Sequence, residues 1–474
     1  MKKYNFKTTP FEHQRKALEL SWNKDTYGLF MEMGTGKTKV AIDNIGILKE
    51  QNKIDIAIIL APKSVYLNWE NEINTHLSNE VPRSIFAWQR DKKPIDDDIA
   101  DGKLGIYLVN VEALSHKSGV KFVKEILSRY LNSMFIVDES TTIKNQGAMR
   151  TKSILKIAPL SKYRRVLTGS PITKSPLDLY TQCAFLSPDL LGFTSYYTFR
   201  ARYAVMDQIR VGSDRYILAP KYYTNLDELE LKLKTFSYRV RKDDCLDLPE
   251  KIRQTRTIDL TDKQQKTYNE LKQRALAVIE DDAVSFNNKL TELLRLHQVT
   301  CGFVKQDSGL MHEFDKCPKM EELMGIIEET DGKVIIWANY VYNIEKIMKT
   351  LEDKYGKNST VAIYGAVSTE DRQDAVKRFQ EDPQCRFFVG NPSTGGFGLT
   401  LTAASYVVYF SNNFNLEIRQ QSEDRAHRIG QKRNVTYIDI VAQKTVDQHI
   451  LRALQMKLKI SAKTLGENVR AWLC

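Results

Sequence analysis

The chain has 474 residues, 42% of them hydrophobic and 27% charged, a balance that suits two or three domains with buried cores and excludes a disordered chain or a disulfide-stapled miniprotein. Lys and Arg number 70 against 59 Asp and Glu, a formal charge of +11, which favours a polyanionic partner. No apolar run approaches the roughly 18 residues of a membrane span, and residues 1–10 lack the apolar core of a signal peptide, so an intracellular protein with no membrane partner is expected. The six cysteines, at 183, 245, 301, 317, 385 and 474, form no C-x-x-C pair and no zinc-like spacing, and they read as reduced structural thiols.

In chain order, Tyr27 to Met31 predicts a strand that runs into Glu32-Met33-Gly34-Thr35-Gly36-Lys37-Thr38, followed by a helical pattern of Val40, Ala41, Ile45 and Leu48. Ile54 to Leu60 leads into Ala61-Pro62-Lys63, and Met134 to Val137 into Asp138-Glu139. Short apolar runs separated by helix-length segments are the pattern of a parallel sheet with crossover helices, whose ligands gather at the carboxyl ends of the strands. From about Ser187 to Pro318 strand alternation is weak, and long patterns such as Asp262 to Val278 and Phe286 to Val299 predict a helical insertion and linker. A second alternating block follows, with strands predicted at Val334 to Trp337, Val361 to Tyr364, Arg386 to Val389, Tyr406 to Phe410 and Val435 to Ile440.

The glycines of Gly34-Thr35-Gly36-Lys37-Thr38 let successive backbone N–H groups face a phosphate at a helix N-terminus, where Lys37 reaches the β/γ oxygens and Thr38 holds Mg²⁺. A strict G-x-x-x-x-G-K-[ST] pattern requires glycine at position 31, where this chain has Met31. Asp138-Glu139, at the end of a later strand, supplies a carboxylate for Mg²⁺ and one to activate water. Gln421 to Gln431 carries Arg425 and Arg428, three apart and expected on one helix face, as guanidiniums suited to the charge that develops in phosphoryl transfer. His427 between them reads as a structural or partner-contacting residue rather than a metal ligand.

Over nearly its whole length the chain resembles the helicase-like ATPases of superfamily two, and specifically the Snf-type translocases of double-stranded DNA. Phe11-Glu12-His13-Gln14 resembles the adenine-recognising start, Met33 to Thr38 motif I, and Ala61-Pro62-Lys63-Ser64 with Trp69 motif Ia. Asp138-Glu139-Ser140-Thr141 with Lys144-Asn145 resembles motif II, and Leu167-Thr168-Gly169-Ser170-Pro171 motif III. Gln421 to Gln431 is close to the Snf-type form of motif VI. Phe185-Leu186-Ser187-Pro188, and Arg239-Val240-Arg241-Lys242 before Leu248-Pro249, are similar to that group's insert region. The chain departs from the family at Thr141, where His or Gln is usual, at Asn391-Pro392 in motif V, and at Phe414-Asn415-Leu416 before motif VI.

The resemblance implies two RecA-like parallel-sheet lobes, 1–186 and 319–474, with the Snf-type helical insertion and linker, 187–318, between them. It implies an ATP-dependent double-stranded DNA translocase or remodeller, with Mg-dependent hydrolysis in the cleft between the lobes. The expected catalytic residues are Lys37, Asp138, Glu139, Gln421, Arg425 and Arg428. His13, Gln14, Gly34, Thr35, Gly36, Lys37, Thr38 and Gly398 are expected to bind ATP, and Thr38 and Asp138 to hold Mg²⁺. Carried over by position, nucleic acid is contacted by Lys63, Ser64, Lys144, Asn145, Gly365, Arg372, Thr394 and Gly395, with Trp337 near motif IV. Contacts of this kind go to phosphates and read no sequence. The alternatives are a strand-separating DNA or RNA helicase and a nucleic-acid-binding scaffold with a decayed ATPase. The length left over for other modules is small, so the expectation is a minimal, plausibly monomeric, bacterial or phage-encoded engine in the cytoplasm or at the nucleoid.

Overall fold

The computed structural model describes residues 4–91, 95–210, 216–245, 248–280, 286–306, 309–395 and 399–465. The chain forms two compact units, one drawn chiefly from Met1–Ala204 and Tyr223–Asp247, the other chiefly from Val205–Tyr222 and Leu248–Lys459. Among the described residues no helix is long and apolar enough to cross a membrane.

The first unit begins with strands β1 (Thr26–Met31), β2 (Ile56–Ala61), β3 (Arg83–Ala87), β4 (Leu104–Asn110), β5 (Ser133–Asp138) and β6 (Tyr163–Leu167). Two strands that fall almost wholly in the second unit, β7 (Ala204–Arg210) and β8 (Tyr216–Tyr223), pair only with each other, and β9 (Ser237–Val240) returns the chain to the main sheet of the first. The sheet order is β3-β4-β2-β5-β6-β1-β9, with every pairing parallel. Every residue of β2 and of β5 is buried, which is why Ile-Ala-Ile-Ile-Leu-Ala shows no alternation: both faces are covered, as a parallel sheet with crossover helices demands. The register Leu29↔Leu167, and Val137↔Val166 one strand further on, brings the ends of β1, β5 and β6 to the same edge. The loops after these strands carry the conspicuous residues.

In the second unit, β10 (Lys251–Ile258) is followed by a short antiparallel pair, β11 (Phe303–Lys305) and β12 (Met311–Glu313). Then come β13 (Lys333–Trp337), β14 (Thr360–Ile363), β15 (Phe387–Gly390), β16 (Ala404–Tyr409) and β17 (Val435–Ala442). The order is β10-β17-β16-β13-β15-β14, again wholly parallel. The helices predicted at 262–278 and 286–299 are present as Asp262–Glu280 and Phe286–Thr300. The same stretch, read from sequence as helical, also holds β7 to β12. Its β10 escaped notice because it is an edge strand whose Lys-Ile-Arg-Gln-Thr-Arg-Thr-Ile sequence leaves much of its length exposed to water.

Arg165 is fully buried in β6. Its Nε donates to Asn44 Oδ1 at 3.1 Å, Nη1 to the carbonyls of Asp25 and Arg164 at 3.1 and 2.8 Å, and Nη2 to those of Ser21 and Lys24 at 2.7 and 2.8 Å. One guanidinium therefore satisfies the turn that feeds helix Glu12–Ser21 into β1. Replacing it by Met keeps apolar volume but strands several buried acceptors, each worth about 1–3 kcal/mol. Arg165→Met is expected to lower unfolding stability by ~3 kcal/mol or more, read as a fall in the urea midpoint followed by circular dichroism; a loss under ~0.5 kcal/mol would show that water replaces these bonds.

Candidate functional site

The loop after β1 is built around two glycines with left-handed backbone, Gly34 at φ +85° and Gly36 at φ +84°, where a side chain is disfavoured. Between them Thr35 is fully buried, its Oγ1 donating to the Glu32 carbonyl at 2.8 Å. The Thr35 carbonyl is held from behind by His13 Nε2 at 2.8 Å and Gln14 Nε2 at 3.1 Å. A carbonyl only accepts, so His13 carries its proton on Nε2, an assignment made from the network. Gln14 Oε1 in turn accepts the Phe11 N–H at 3.0 Å. Both side chains, expected to touch adenine, spend these atoms bracing the loop.

Glu32, at the front of the loop, accepts Arg239 Nη2 at 3.1 Å and the Lys242 N–H at 2.9 Å, while Arg239 Nη1 donates to the Gly169 carbonyl at 2.8 Å. Arg239 thus ties the loop after β1 to the loop after β6. The helix Lys37–Glu50 begins directly after Gly36, so its first N–H groups and its dipole face the loop, an arrangement suited to an anion. Thr38 lies in the first turn of that helix.

Lys37 is buried and its Nζ lies 3.6 Å from Glu139 Oε1. Asp138, the last residue of β5, accepts Trp69 Nε1 on Oδ2 at 2.9 Å and the Glu139 N–H on Oδ1 at 3.0 Å. Burial raises the Asp138 carboxyl above the ordinary carboxylate range, opposed by the Lys37 ammonium and the Trp69 indole. A group raised in this way costs stability as pH rises through the range where it ionises. A divalent cation would relieve that cost, and a Mg²⁺ that keeps most of its water and takes phosphate oxygens needs only a carboxylate such as Asp138 and a hydroxyl such as that of Thr38, next in sequence to Lys37. Asp138 and Thr38 therefore fit the ion. Among the described residues no group of three or more His, Cys, Asp or Glu is arranged to hold a metal by itself. Trp69, known from sequence only as part of a motif, is a member of this site. Its bond to Asp138 spans 69 residues of sequence and depends on how helix Tyr66–His76 is turned.

The remaining positions of the first unit sit at the same sheet edge. Lys63 is exposed in the turn Lys63–Val65 after β2, which also contains Ser64. Lys144 Nζ donates to Thr173 Oγ1 at 2.7 Å, and Asn145 is exposed, its Oδ1 accepting the Gly147 N–H at 2.9 Å.

In the second unit, Gly365 is exposed just after β14, and Arg372, on helix Thr369–Glu381, donates from Nη2 to the Tyr364 carbonyl at 3.4 Å. Thr394 and Gly395 lie in the short helix Pro392–Gly395 after β15. Gly398 lies outside the described residues. Trp337 is fully buried in the core beside Phe388, which removes it as a nucleic-acid contact.

Gln421 is buried in helix Leu416–Glu423. Arg425 and Arg428, however, do not share a helix face as expected. The helix stops at Glu423 and the chain continues in turns, in which the Glu423 carbonyl accepts the Ala426 and His427 N–H groups at 3.3 Å as well as Tyr437 Oη at 2.9 Å, and the Ala426 carbonyl accepts Gln431 Nε2 at 3.0 Å. The following turns still bring the two arginines together, each Nη1 donating to the Leu399 carbonyl at 3.3 Å. Two guanidiniums on one carbonyl concentrate positive charge. His427 is buried with Nε2 against the Pro249 carbonyl at 2.7 Å, a structural position.

A Cβ at Gly36 would lie 2.1 Å from Gln14 Nε2 and would sit on a left-handed backbone. Gly36→Ala is therefore expected to displace the loop and weaken binding of a fluorescent ATP analogue at least tenfold by anisotropy. A change below twofold would show that the loop tolerates the side chain.

Residues 13–302 match the SNF2-related domain and residues 316–430 the helicase conserved C-terminal domain. An uncharacterised ATP-dependent helicase of Mycoplasma genitalium is 26% identical over 444 residues, which make up 92% of this chain and 40% of that protein. A Caenorhabditis elegans homologue of the SWI/SNF-related matrix-associated actin-dependent regulator of chromatin subfamily A-like protein 1 is 28% identical over 458 residues, 95% of this chain and 61% of its own length. The solved Sulfolobus solfataricus SWI2/SNF2 ATPase core in complex with dsDNA is 26% identical, with 100% of this chain and 97% of that one covered at a TM-score of 0.45. This chain thus spans less than two thirds of either of those two curated relatives. With the glycine loop, the Asp138-Glu139 pair and the paired arginines on sheets of the expected kind, the match over most of its length makes this chain a member of the SNF2-related family.

Proposed function

We propose that this protein is a Mg-dependent ATPase, stimulated by DNA, that moves along or remodels double-stranded DNA without separating its strands. The observation that carries the reading is the placement of Lys37, Asp138 and Glu139 beside a glycine loop and a helix N-terminus in an SNF2-related chain. Asp138 and Thr38 would hold Mg²⁺, which would supply positive charge to the phosphate oxygens of the nucleotide. Lys37 reaches the same oxygens, and Glu139 orients and deprotonates the attacking water. Arg425 and Arg428 stabilise charge on the γ-phosphate, with Gln421 beside them as a polar contact. Lys63, Ser64, Lys144, Asn145, Gly365, Arg372, Thr394 and Gly395 contact backbone phosphates, so binding is salt-sensitive and indifferent to sequence. The formal charge of +11 supports an anionic track. The Mycoplasma relative's name favours a helicase as the second reading.

Steady-state ATP hydrolysis measured alone and with duplex DNA, single-stranded DNA or RNA separates the two. Stimulation by duplex, followed by displacement of a triplex-forming strand, is the expected result; preference for single strands or RNA would select the helicase. Glu139→Gln is expected to keep nucleotide binding within about twofold and to lower kcat by ~10² or more, as loss of a general base does. Unchanged turnover would remove Glu139 from the chemistry.

A further inference from the structure

Glu139 is one of the described non-glycine residues with left-handed backbone, at φ +49°, an unfavourable conformation that persists only where its surroundings enforce it. The turn aims the carboxylate at Lys37 and brings Oε2 to 3.5 Å from Thr168 Oγ1. The next residue supplies the enforcement. Ser140 Oγ donates to Gln182 Oε1 at 2.6 Å, and Gln182 Nε2 donates to the Pro171 carbonyl at 2.7 Å and the Asp178 carbonyl at 2.8 Å. The amide cannot be flipped, since its oxygen would then face two carbonyls. Gln182 is fully buried, on a helix, Leu179–Leu186, otherwise rich in apolar side chains. Burying an amide there is unfavourable unless its bonds are made; two of the three reach other loops, and the third goes one turn back to the Asp178 carbonyl at the start of the same helix.

We propose that Gln182 is a positioning residue: through Ser140 and the Pro171 carbonyl it locks the loop after β5 to the loop after β6 and so holds Glu139 in its strained, functional turn. Its neighbour Thr181 reinforces the lock, donating to the Ile143 carbonyl at 2.7 Å. Thr168 grips the Glu139 carboxylate directly, and Gln182 grips its backbone through Ser140. A change in either loop is therefore transmitted to the other. This assignment rests on the proposed role of Glu139 for its catalytic consequence, but the mechanical linkage stands apart from it.

The test uses the full chain with Ser140→Ala, which deletes one bond, and Gln182→Leu, which deletes three. Hydrogen–deuterium exchange reads the linkage without any activity. The expected result for both variants is at least tenfold faster exchange in the segment 139–145, where Thr142 and Lys144 N–H bond to the Glu139 and Thr141 carbonyls, and, for Gln182→Leu, also in 168–173. Faster exchange confined to 178–186, or none, overturns the proposal. In steady-state hydrolysis, kcat is expected to fall about tenfold with KM for ATP within twofold, and the double variant is expected to be no worse than Gln182→Leu alone. Independent, multiplying losses, or a raised KM at unchanged kcat, would also overturn it. If Gln182→Leu does not fold, Ser140→Ala decides alone. A wild-type protein that hydrolyses no ATP yet shows the exchange pattern refutes the ATPase reading and leaves the linkage intact.

Discussion

The carboxyl edge of the first sheet depends on keeping an ammonium and two carboxylates largely out of water without stranding any of them. Lys37 and Asp138 are 8% and 9% exposed, and Glu139 lies against both the ammonium and Thr168. A buried charge missing a partner costs several kcal/mol, so each has an assigned contact: Lys37 with Glu139, Asp138 with the Trp69 indole and a backbone N–H. Burial resists ionising Asp138. A cation bound beside Asp138 would relieve that cost.

The second sheet solves the opposite problem, the placement of positive charge. Arg419 donates to Asp439 and, at 2.8 Å, to Glu423, which also takes both terminal nitrogens of Arg253 at 2.8 and 2.7 Å. Burial would raise the Glu423 carboxyl, but Arg253 and Arg419 hold it far below the ordinary range. Its contribution to stability is therefore present above the usual carboxylate range and is lost as pH falls toward strong acid. This network anchors the end of helix Leu416–Glu423 to β10 and β17, and the turns bearing Arg425 and Arg428 start from that fixed point. Breaking one partner of such a buried network is far more damaging than exchanging the whole for apolar residues.

Much of this was legible in the sequence, for a physical reason. Buried parallel strands print themselves as unbroken apolar runs, so β1, β2, β5 and the five inner and edge strands β13 to β17 were found within one or two residues of their limits. The glycine loop and Asp138-Glu139 were legible because chemistry at strand ends needs short, rigid, local motifs. What escaped depends on distance or on competition. The Trp69–Asp138 bond joins separate elements, and no local pattern announces it. Gln182 looks like one polar residue on an apolar helix. Arg425 and Arg428 have helical spacing, yet the helix ends at Glu423 and both lie in the turns that follow. β10 carries Lys251, Arg253 and Arg256 at its less exposed positions and buries only Ile258, so it shows almost no apolar signal.

Three buried glutamines recur where loops must be held near functional charge. Gln14 grips the Thr35 carbonyl and the Phe11 N–H, Gln182 joins Ser140 to two carbonyls, and Gln431 donates to the carbonyls of Thr402, Ala404 and Ala426. A primary amide offers two donors and an acceptor in one plane, the same groups a peptide unit uses, so it completes backbone bonding where a strand or helix stops. It also carries no charge. A lysine or arginine in the same place could donate to the carbonyls but could not accept the Phe11 N–H or the Ser140 hydroxyl, and it would add a full positive charge to the site, a perturbation of several kcal/mol at an effective dielectric of ~20. Neutral braces leave the local field to be set by the residues that face the ligand, and this separation of holding from charging is what lets such strained loops serve a phosphate site.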